Sequence, residues 1–480
     1  MKFRFKTVPY KHQLTALEKS CEKDEYALLM DMGTGKSKVL IDTIAHLYSN
    51  GRITSAVIFA PKGVYKNWVD QEVPTHMPDH IDYKIAYWAS PLTAKLKKKI
   101  SSIWRDDFDL HILVVNIEAI SGDKAINVVD RFISNHFGKT LVAVDESTTI
   151  KNHKAKRTKS AIKIAKKARY KRILTGSPIT KSPLDLYSQF AFLNEQLLGF
   201  QSYYSFCTRY ADMIKRSAGS HHYNQILSYR NLDELTKSIQ PFSYRVRKED
   251  CLDLPEKNYI KRTIQLTPEQ KTVYDDLKKT AVSILNEQDQ VTATTQLTCL
   301  LRLHQVSCGF VNTDEGEVLE LKNSRLEELV SILDEVDGKV LIWATYRHDI
   351  KAIENKIKVL YGEDSVVSYY GDTKGEVRQE LVNKFQNDPE CKYFVGHPKT
   401  GGYGLTLVAA NTVIYYSNNY DLEVRLQSED RAHRIGQKNT VTYIDIVTEK
   451  TIDELIVKAL RNKIDIATQV LGENFKKWLI

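Results

Sequence analysis

No stretch of this sequence stays apolar for the length a bilayer span requires, so it offers no transmembrane helix. Its first residues, MKFRFKTVPYKHQ, lack the apolar centre of a secretory signal peptide. Cysteine is sparse: Cys21, Cys207, Cys251, Cys299, Cys308 and Cys391 are scattered, with no Cys-x-x-Cys pair. That scatter argues against a zinc ribbon and against a disulfide framework, and it fits a reducing, intracellular setting. Low-complexity tracts and repeats of solenoid period are missing, which sets aside flexible tethers and superhelical arrays. Nor does either sign of charge dominate. Lys plus Arg number 69 against 60 Asp plus Glu, and the net +9 permits a polyanionic partner without demanding one.

What is present is an ordinary globular balance, 42% hydrophobic and 27% charged residues over 480 positions. That is material for more than one core and, by length, for about two to four domains. The charge is unevenly placed. KNHKAKRTKSAIKIAKKARYKR (151–172) carries eleven Lys or Arg and no acid. It reads either as a solvated helix face or as a surface lying along a phosphate backbone.

Short apolar or β-branched runs alternate with helix-like stretches. YALLM (26–30), SAVIFA (55–60), ILVVN (112–116), LVAV (141–144) and RILTG (172–176) form one series of expected strands. The region from about 184 to 240 reads mainly as helix, PFSYRVRKEDCLDLPEK (241–257) reads as a connector, and a second helical region runs to about 335. Strands then resume at KVLIWA (339–344), VVSYY (366–370), KYFVG (392–396), TVIYYS (412–417) and VTYIDIV (441–447), before an amphipathic helix from 451 to about 471. Alternation of this kind implies parallel sheets covered by helices. The expected class is therefore α/β, with two sheet domains in tandem and ligand at the carboxyl ends of their strands, in a shared cleft.

Three motifs carry chemistry. DMGTGKS (31–37) sits between an expected strand and an expected helix. Gly33 and Gly35 allow backbone N–H groups to wrap a phosphate chain, Lys36 reaches the outer phosphates, and Ser37 ligates Mg²⁺. The first glycine of the full phosphate-loop pattern is replaced by Met30. DESTTIKN (145–152) follows a strand; Asp145 would hold Mg²⁺ and Glu146 would orient and deprotonate an attacking water. QSEDRAHRIGQ (427–437) places Arg431 and Arg434 three apart, on one face if the segment is helical. The plain reading is a solvated helix pairing with Glu429 and Asp430. The sharper one is a pair of phosphate-binding forks that stabilise charge on a transferred phosphoryl group and make hydrolysis depend on both domains.

In their order, these motifs resemble the Swi/Snf-type (sucrose non-fermenting) ATPases of helicase superfamily two, from about residue 8 to 460. VPYKHQLTALE (8–18) resembles the adenine-reading Q motif with Gln13 as reader. APKGVYKNWVDQE (60–72) resembles motif Ia, and RILTGSPI (172–179) resembles motif III, with Thr175, Gly176 and Ser177 as coupling residues. LLRLHQVSCG (300–309) and KVLIWATYRHD (339–349) resemble the start of the second lobe. TGGYGLTLVAANTVI (400–414) resembles motif V, with Gly404 at the nucleotide, and QSEDRAHRIGQ resembles motif VI.

The resemblance implies two RecA-like lobes: lobe 1 over 1–240 with a helical insertion at about 184–240, a connector over 241–260, and lobe 2 over 261–480 with an insertion at about 265–335. It implies ATP and Mg²⁺ held by Gln13, Met32, Gly33, Thr34, Gly35, Lys36, Ser37, Asp145, Gly404, Arg431 and Arg434. It further implies a monomeric motor that tracks double-stranded DNA without reading its sequence, through Lys62, Asn67, Asn116, Lys151, Asn152, Thr345, Arg347, Lys399 and Thr400. Forked or branched DNA is a further partner of this type. The compact form is similar to bacterial, viral and fork-remodelling relatives, so a cytoplasmic setting is expected. Two departures stand out: Thr148 replaces the His of the Asp-Glu-Ala-His box, and YDLE (420–423) replaces Asp-Trp-Asn-Pro.

Other features read as packing. The tyrosines of 187–214 could stack on bases but fit inter-helix packing better, HHY (221–223) reads as a polar loop, and Cys299 and Cys308 read as core thiols. Two other functions remain open: a strand-separating DNA or RNA helicase, and a nucleotide-gated binding protein with little turnover. Intact Lys36, Glu146, Arg431 and Arg434 argue against the second.

Overall fold

A computed structural model describes residues 4–62, 64–89, 93–104, 110–136, 138–218, 221–251, 254–287, 293–313, 317–371, 373, 377–401 and 405–471. The chain divides into two compact units, the first built mainly from Met1–Asp212 and Ser228–Asp253, the second mainly from Leu254–Asp465.

The first unit holds a seven-stranded sheet. Its strands are β1 (Glu25–Met30), β2 (Ser55–Ala60), β3 (Tyr83–Trp88), β4 (Leu110–Asn116), β5 (Thr140–Asp145), β6 (Tyr170–Leu174) and β9 (Ser243–Val246), in the order β3-β4-β2-β5-β6-β1-β9. Every pairing is parallel. Strands β2, β4 and β5 are buried at every position, as a sheet covered on both faces requires, and this is why they read as unbroken apolar runs. On one face, Leu28, Met30, Ile58 and Val114 pack with Val39, Ile41 and Ile44 of the helix Lys36–Ser49.

Two elements here differ from the sequence expectation. The stretch 184–240 is not continuous helix: Leu186–Leu193 and Tyr203–Tyr210 are helical, but β7 (Ala211–Ala218) and β8 (His221–Tyr229) form a two-stranded ribbon before the helix Leu232–Ile239. Residues 224–228 of β8 are all exposed, so no alternation of buried and exposed positions marks that stretch of its sequence. Within the connector, Ser243–Val246 pairs with β1 as the edge strand of the sheet.

The second unit holds a six-stranded sheet of β10 (Lys257–Ile264), β13 (Lys339–Trp343), β14 (Val366–Tyr369), β15 (Tyr393–Gly396), β16 (Ala410–Tyr415) and β17 (Val441–Thr448), in the order β10-β17-β16-β13-β15-β14 and again all parallel. A small hairpin, β11 (Phe310–Asn312) and β12 (Val318–Glu320), follows the helix Ala293–Cys308. Alternate residues of each strand serve opposite cores, since side chains alternate across a sheet. Val340 and Ile342 pack with Ile350, Ile353 and Ile357 of the helix Arg347–Tyr361, while Leu341 and Trp343 pack on the other face with Phe385 and Phe394. Among the described residues, no helix is long and apolar enough to cross a membrane.

One buried cation organises this unit. Arg325 is fully buried and donates to the carbonyls of Ser307 (3.3 Å), Tyr416 and Ile446 (3.1 Å), to Thr448 Oγ1 (2.7 Å) and to Asp453. Burial pushes the Asp453 carboxyl up, but Arg325 and His304 outweigh it and hold the pKa below its ordinary 3.8. Its contribution to stability is therefore present above that pH and lost as pH falls through the folded-state value. Arg325→Met is expected to destabilise the second unit by about 3–5 kcal/mol, because it takes the compensating cation from a buried carboxylate and one donor from each of three carbonyls. Denaturant unfolding checks this, and an unchanged midpoint for the second unit would contradict it.

Candidate nucleotide site and strand-end loops

Topology brings the candidate residues of the first unit together. The turn 31–35 follows β1, Asp145 ends β5 with Glu146 just after it, and Thr175–Ser177 follow β6, and these three strands are neighbours in the order β5-β6-β1. All three loops therefore leave the carboxyl edge of one parallel sheet, where ligands bind in folds of this kind.

The turn itself depends on glycine. Gly33 has φ 79° and Gly35 φ 86°, a left-handed conformation that costs glycine little. A Cβ on Gly35 would lie 2.1 Å from Gln13 Nε2. Gln13 is buried against the turn, accepting from the Tyr10 N–H (3.0 Å) and donating to the Thr34 carbonyl (3.1 Å). His12 reaches the same carbonyl at 2.8 Å, a contact that sequence reading missed. Thr34 in turn donates its hydroxyl to the Asp31 carbonyl (2.8 Å). Met32 lies in the same turn, and Ser37 is the second residue of the helix Lys36–Ser49, half-buried. The N–H groups at that helix start are suited to an anion.

Lys36 is buried (7% exposed), with Nζ 3.3 Å from Glu146 Oε1. Burial pulls its pKa down, but the carboxylates of Glu146, Asp145 and Asp31 outweigh burial and leave it raised, so the ammonium stays charged. Glu146 adopts φ 49°, an uncommon conformation for a side chain of this size and a cost of about 1–3 kcal/mol that clusters at functional sites. Asp145 accepts from Trp68 Nε1 (2.9 Å) and from the Glu146 N–H (3.1 Å). Burial pushes its carboxyl up, and the pull of Lys36 and Trp68 does not fully offset this. Trp68, fully buried, lies in a π-helical turn (Trp68–Glu72), a geometry frequent at functional sites. The motif around it was legible in sequence, but its hold on Asp145 was not.

The connector grips the same turn from behind. Arg245 of β9 donates to the carbonyls of Leu29 (3.2 Å) and Gly176 (2.8 Å) and pairs with Asp31 (3.0 Å). A Cβ on Gly176 would meet Met32 N at 3.1 Å and Asp31 Cα at 3.2 Å, so only glycine fits there without displacing backbone. Thr175 donates its N–H to the Leu28 carbonyl (3.2 Å), and Ser177 donates its N–H to Thr175 Oγ1 (3.1 Å).

Of the expected nucleic-acid contacts in this unit, Lys62 is exposed after β2 and Asn67 donates to Glu72 (3.1 Å). Asn116 is buried and accepts the N–H groups of Glu118 and Ala119, capping the turn after β4. Lys151 donates to Thr180 Oγ1 (2.6 Å), and exposed Asn152 accepts from the Lys154 N–H (2.9 Å). These loops follow β2, β4 and β5, so β5 feeds both sets. Thr148, in place of the box His, is buried (3%).

In the second unit, the helix Leu422–Glu429 ends before the two arginines. They do not sit on a helix as their spacing suggested. Instead the chain tightens into turns, with the Ala432 and His433 N–H groups both reaching the Glu429 carbonyl (3.3 Å). Gln437 replaces the helical bonds, its amide donating to the carbonyls of Val408 (3.1 Å), Ala410 (2.9 Å) and Ala432 (3.1 Å). Arg431 Nη1 and Arg434 Nη1 nevertheless converge, each 3.1 Å from the Leu405 carbonyl. Glu429 is engaged by Arg425 (2.8 Å), Tyr259 (2.9 Å) and Lys257 (3.4 Å). Gly404 lies outside the described residues, as do the side chains of 221–223.

Thr345 donates to the Ser417 carbonyl (3.1 Å) after β13. Arg347, exposed after β13, and Lys399, exposed after β15, both act on His397, whose pKa is lowered first by burial and then by these two cations. Thr400 is held by its N–H on the His397 carbonyl (3.0 Å). Two cations and a histidine biased toward its neutral form thus share one loop edge, and the cations are suited to a phosphate backbone.

Scattered cysteines suggested no metal centre. Among the described residues, one trio with ligand chemistry comes together: Cys21, Glu22 and His46, with His46 Nε2 2.8 Å from Glu22 Oε1.

Residues 12–310 match the model of the SNF2-related domain, and residues 321–436 match that of the helicase conserved C-terminal domain. YwqA of Bacillus subtilis, named as an ATP-dependent helicase/translocase, is 28% identical over 457 residues, covering 93% of this chain and 46% of that protein. The SWI/SNF-related matrix-associated actin-dependent regulator of chromatin subfamily A-like protein 1 of Drosophila melanogaster is 28% identical over 356 residues, covering 72% of this chain and 43% of that protein. The chain thus spans less than half the length of these relatives. Among solved structures, the Sulfolobus solfataricus SWI2/SNF2 ATPase core in complex with dsDNA is similar at 24% identity and a TM-score of 0.44, covering 98% of this chain and 96% of that one.

Trp68→Phe keeps an aromatic ring, smaller than the indole, and deletes the N–H that holds Asp145. It is expected to weaken Mg²⁺-dependent nucleotide binding about tenfold, as loss of an outer-shell partner does. Titration of a fluorescent nucleotide with and without Mg²⁺ checks this, and unchanged Mg²⁺ dependence would contradict it.

Proposed function

Since this chain belongs to the SNF2-related domain family, we propose that it is an ATP-driven motor that hydrolyses ATP and tracks along double-stranded DNA. The observation that carries this reading is the buried Lys36–Glu146 pair with Asp145 beside it, assembled from the ends of two strands.

The residues divide the work. The N–H groups at 33–37 and the Lys36 ammonium bind the phosphate chain. A phosphate that engages Lys36 takes over the charge now balanced by Glu146 and leaves that carboxylate able to accept a proton from water. Its strained backbone fixes where the carboxylate points. Ser37 and Asp145 form a hydroxyl–carboxylate pair of the kind Mg²⁺ takes in such sites, and the metal would neutralise charge on the outer phosphates. Gln13 supports the turn through Thr34, and Gln13 and Gly404 belong with the nucleotide on the strength of the sequence resemblance. Arg431 and Arg434 are the groups that would meet negative charge as it builds on the transferred phosphoryl group.

DNA contacts are assigned to the loops after β2, β4 and β5 in the first unit and after β13 and β15 in the second. Most offer Lys, Arg, Asn or Thr, which suits backbone rather than base contacts and predicts indifference to sequence. Thr175, Gly176 and Ser177 are the proposed coupling residues, and Gly176 abuts the phosphate turn 31–35. The proposed setting is the cytoplasm, with the chain acting as a monomer.

Steady-state ATP hydrolysis should be measured with no nucleic acid, single-stranded DNA, linear duplex, forked DNA and RNA at matched phosphate and low salt. Duplex is expected to stimulate turnover at least about tenfold, Lys36→Ala to abolish productive binding, and Glu146→Gln to bind ATP without turning it over. Stimulation by single strands or RNA alone would replace this reading with a strand-separating helicase. No turnover in any condition would leave a nucleotide-gated binding protein.

A further inference from the structure

The strained backbone of Glu146 needs something to hold it. Ser147, the next residue, is fully buried and donates its hydroxyl to Gln189 Oε1 at 2.7 Å. Gln189, also fully buried on the helix Leu186–Leu193, donates its amide N–H groups to the carbonyls of Pro178 (2.7 Å) and Asp185 (2.9 Å). Pro178 belongs to the loop whose Gly176 abuts the turn 31–35. One side chain therefore bonds both the loop that carries the acid pair and the loop packed behind the phosphate turn. Its acceptor and both donors are satisfied, so the amide is held in one orientation.

The start of that helix is fixed as well. Asp185 Oδ2 accepts the N–H groups of Thr180 (3.1 Å) and Lys181 (2.8 Å), and Thr180 accepts from Lys151 across the same two loops. Helix and loops form a closed frame around Ser147.

We propose that Gln189 is a positioning residue that sets the Glu146 carboxylate against Lys36 by hydrogen-bonding Ser147 and Pro178 at once. The proposal rests on the reading of Glu146 as the group that orients the attacking water. Gln189 does not touch the reacting atoms; it fixes the turn from which Glu146 projects. A hydrophobic residue of similar volume at 189 would fill the space but release Ser147 and the Pro178 carbonyl.

The test uses the full chain and four variants: Gln189→Leu, Gln189→Glu, Ser147→Ala and the Gln189→Leu/Ser147→Ala double. Gln189→Leu is expected to lower kcat about tenfold while affinity for a fluorescent non-hydrolysable ATP analogue stays within about twofold. Ser147→Ala should lower kcat in the same way, and the double variant should be no worse than Gln189→Leu, because Gln189→Leu already removes the bond to Ser147. Gln189→Glu keeps an acceptor for Ser147 but replaces the amide donors to the Pro178 and Asp185 carbonyls with a carboxylate oxygen, so kcat should stay low. A second readout needs no turnover. Amide hydrogen exchange of residues 147–151 in the nucleotide-free protein should quicken about tenfold in Gln189→Leu, with β1 and β5 unchanged.

Wild-type kcat in Gln189→Leu, a parallel fall in kcat and affinity, additive losses in the double variant, or unaltered exchange at 147–151 would each overturn the proposal. If the wild-type chain binds ATP but does not hydrolyse it, the motor reading fails on its own. The exchange experiment then still decides whether Gln189 holds the Glu146 turn.

Discussion

A buried lysine held 3.3 Å from one carboxylate and next to a second is the constraint on which the first unit depends. Taking these charges out of water is costly unless they compensate one another. Their compensation requires β1 and β5 to end at the same edge, glycines where the turn is left-handed, and a non-glycine residue in a left-handed conformation at 146. Trp68, Gln13 and Arg245 then fix the turn and the acid pair from three sides. An arrangement balanced in this way is suited to an anionic ligand that displaces one partner of the pair.

The second unit solves a related problem. Its two arginines lie beyond the end of a helix, yet both guanidinium groups reach one carbonyl, Leu405. Gln437 fixes the turn that carries them, Arg431 Nε also donates to the Gln427 carbonyl (2.9 Å), and Arg425, Lys257 and Tyr259 gather on Glu429 at the end of the preceding helix. Glu429 is engaged by these groups, so the adjacent acid serves the local frame. Fixed cations are worth more to a developing charge than mobile ones, because little reorganisation accompanies the reaction.

Much of this was legible in the sequence, for identifiable reasons. Strands buried on both faces, such as SAVIFA and ILVVN, must be apolar throughout. The turn 31–35 needs glycine and lysine at fixed offsets, and the acid pair must follow a strand. What was not legible lies where tertiary context decides. The edge strand β10 is half polar because it pairs only with β17. Strand β8 is exposed over 224–228, with no alternation there to betray it. Ser243–Val246 becomes a strand only because β1 offers an edge. The spacing of Arg431 and Arg434 is compatible with a helix, and the turn that replaces it is set by Gln437, whose partners are far from it in sequence. Gln189 and Arg245 could not have been singled out without the fold, because several of their partners are backbone carbonyls and their side-chain partners, Ser147 and Asp31, lie far from them in sequence.

The proposed function assigns Arg434 to stabilising charge on the transferred phosphoryl group. It is tested most directly by comparing wild type and Arg434→Ala for duplex-stimulated ATP turnover, with nucleotide affinity measured separately by equilibrium titration. Stabilisation of transition-state charge by the second unit predicts a fall in kcat of about a thousandfold with affinity changed only a few-fold. Normal turnover in Arg434→Ala with duplex present would contradict it.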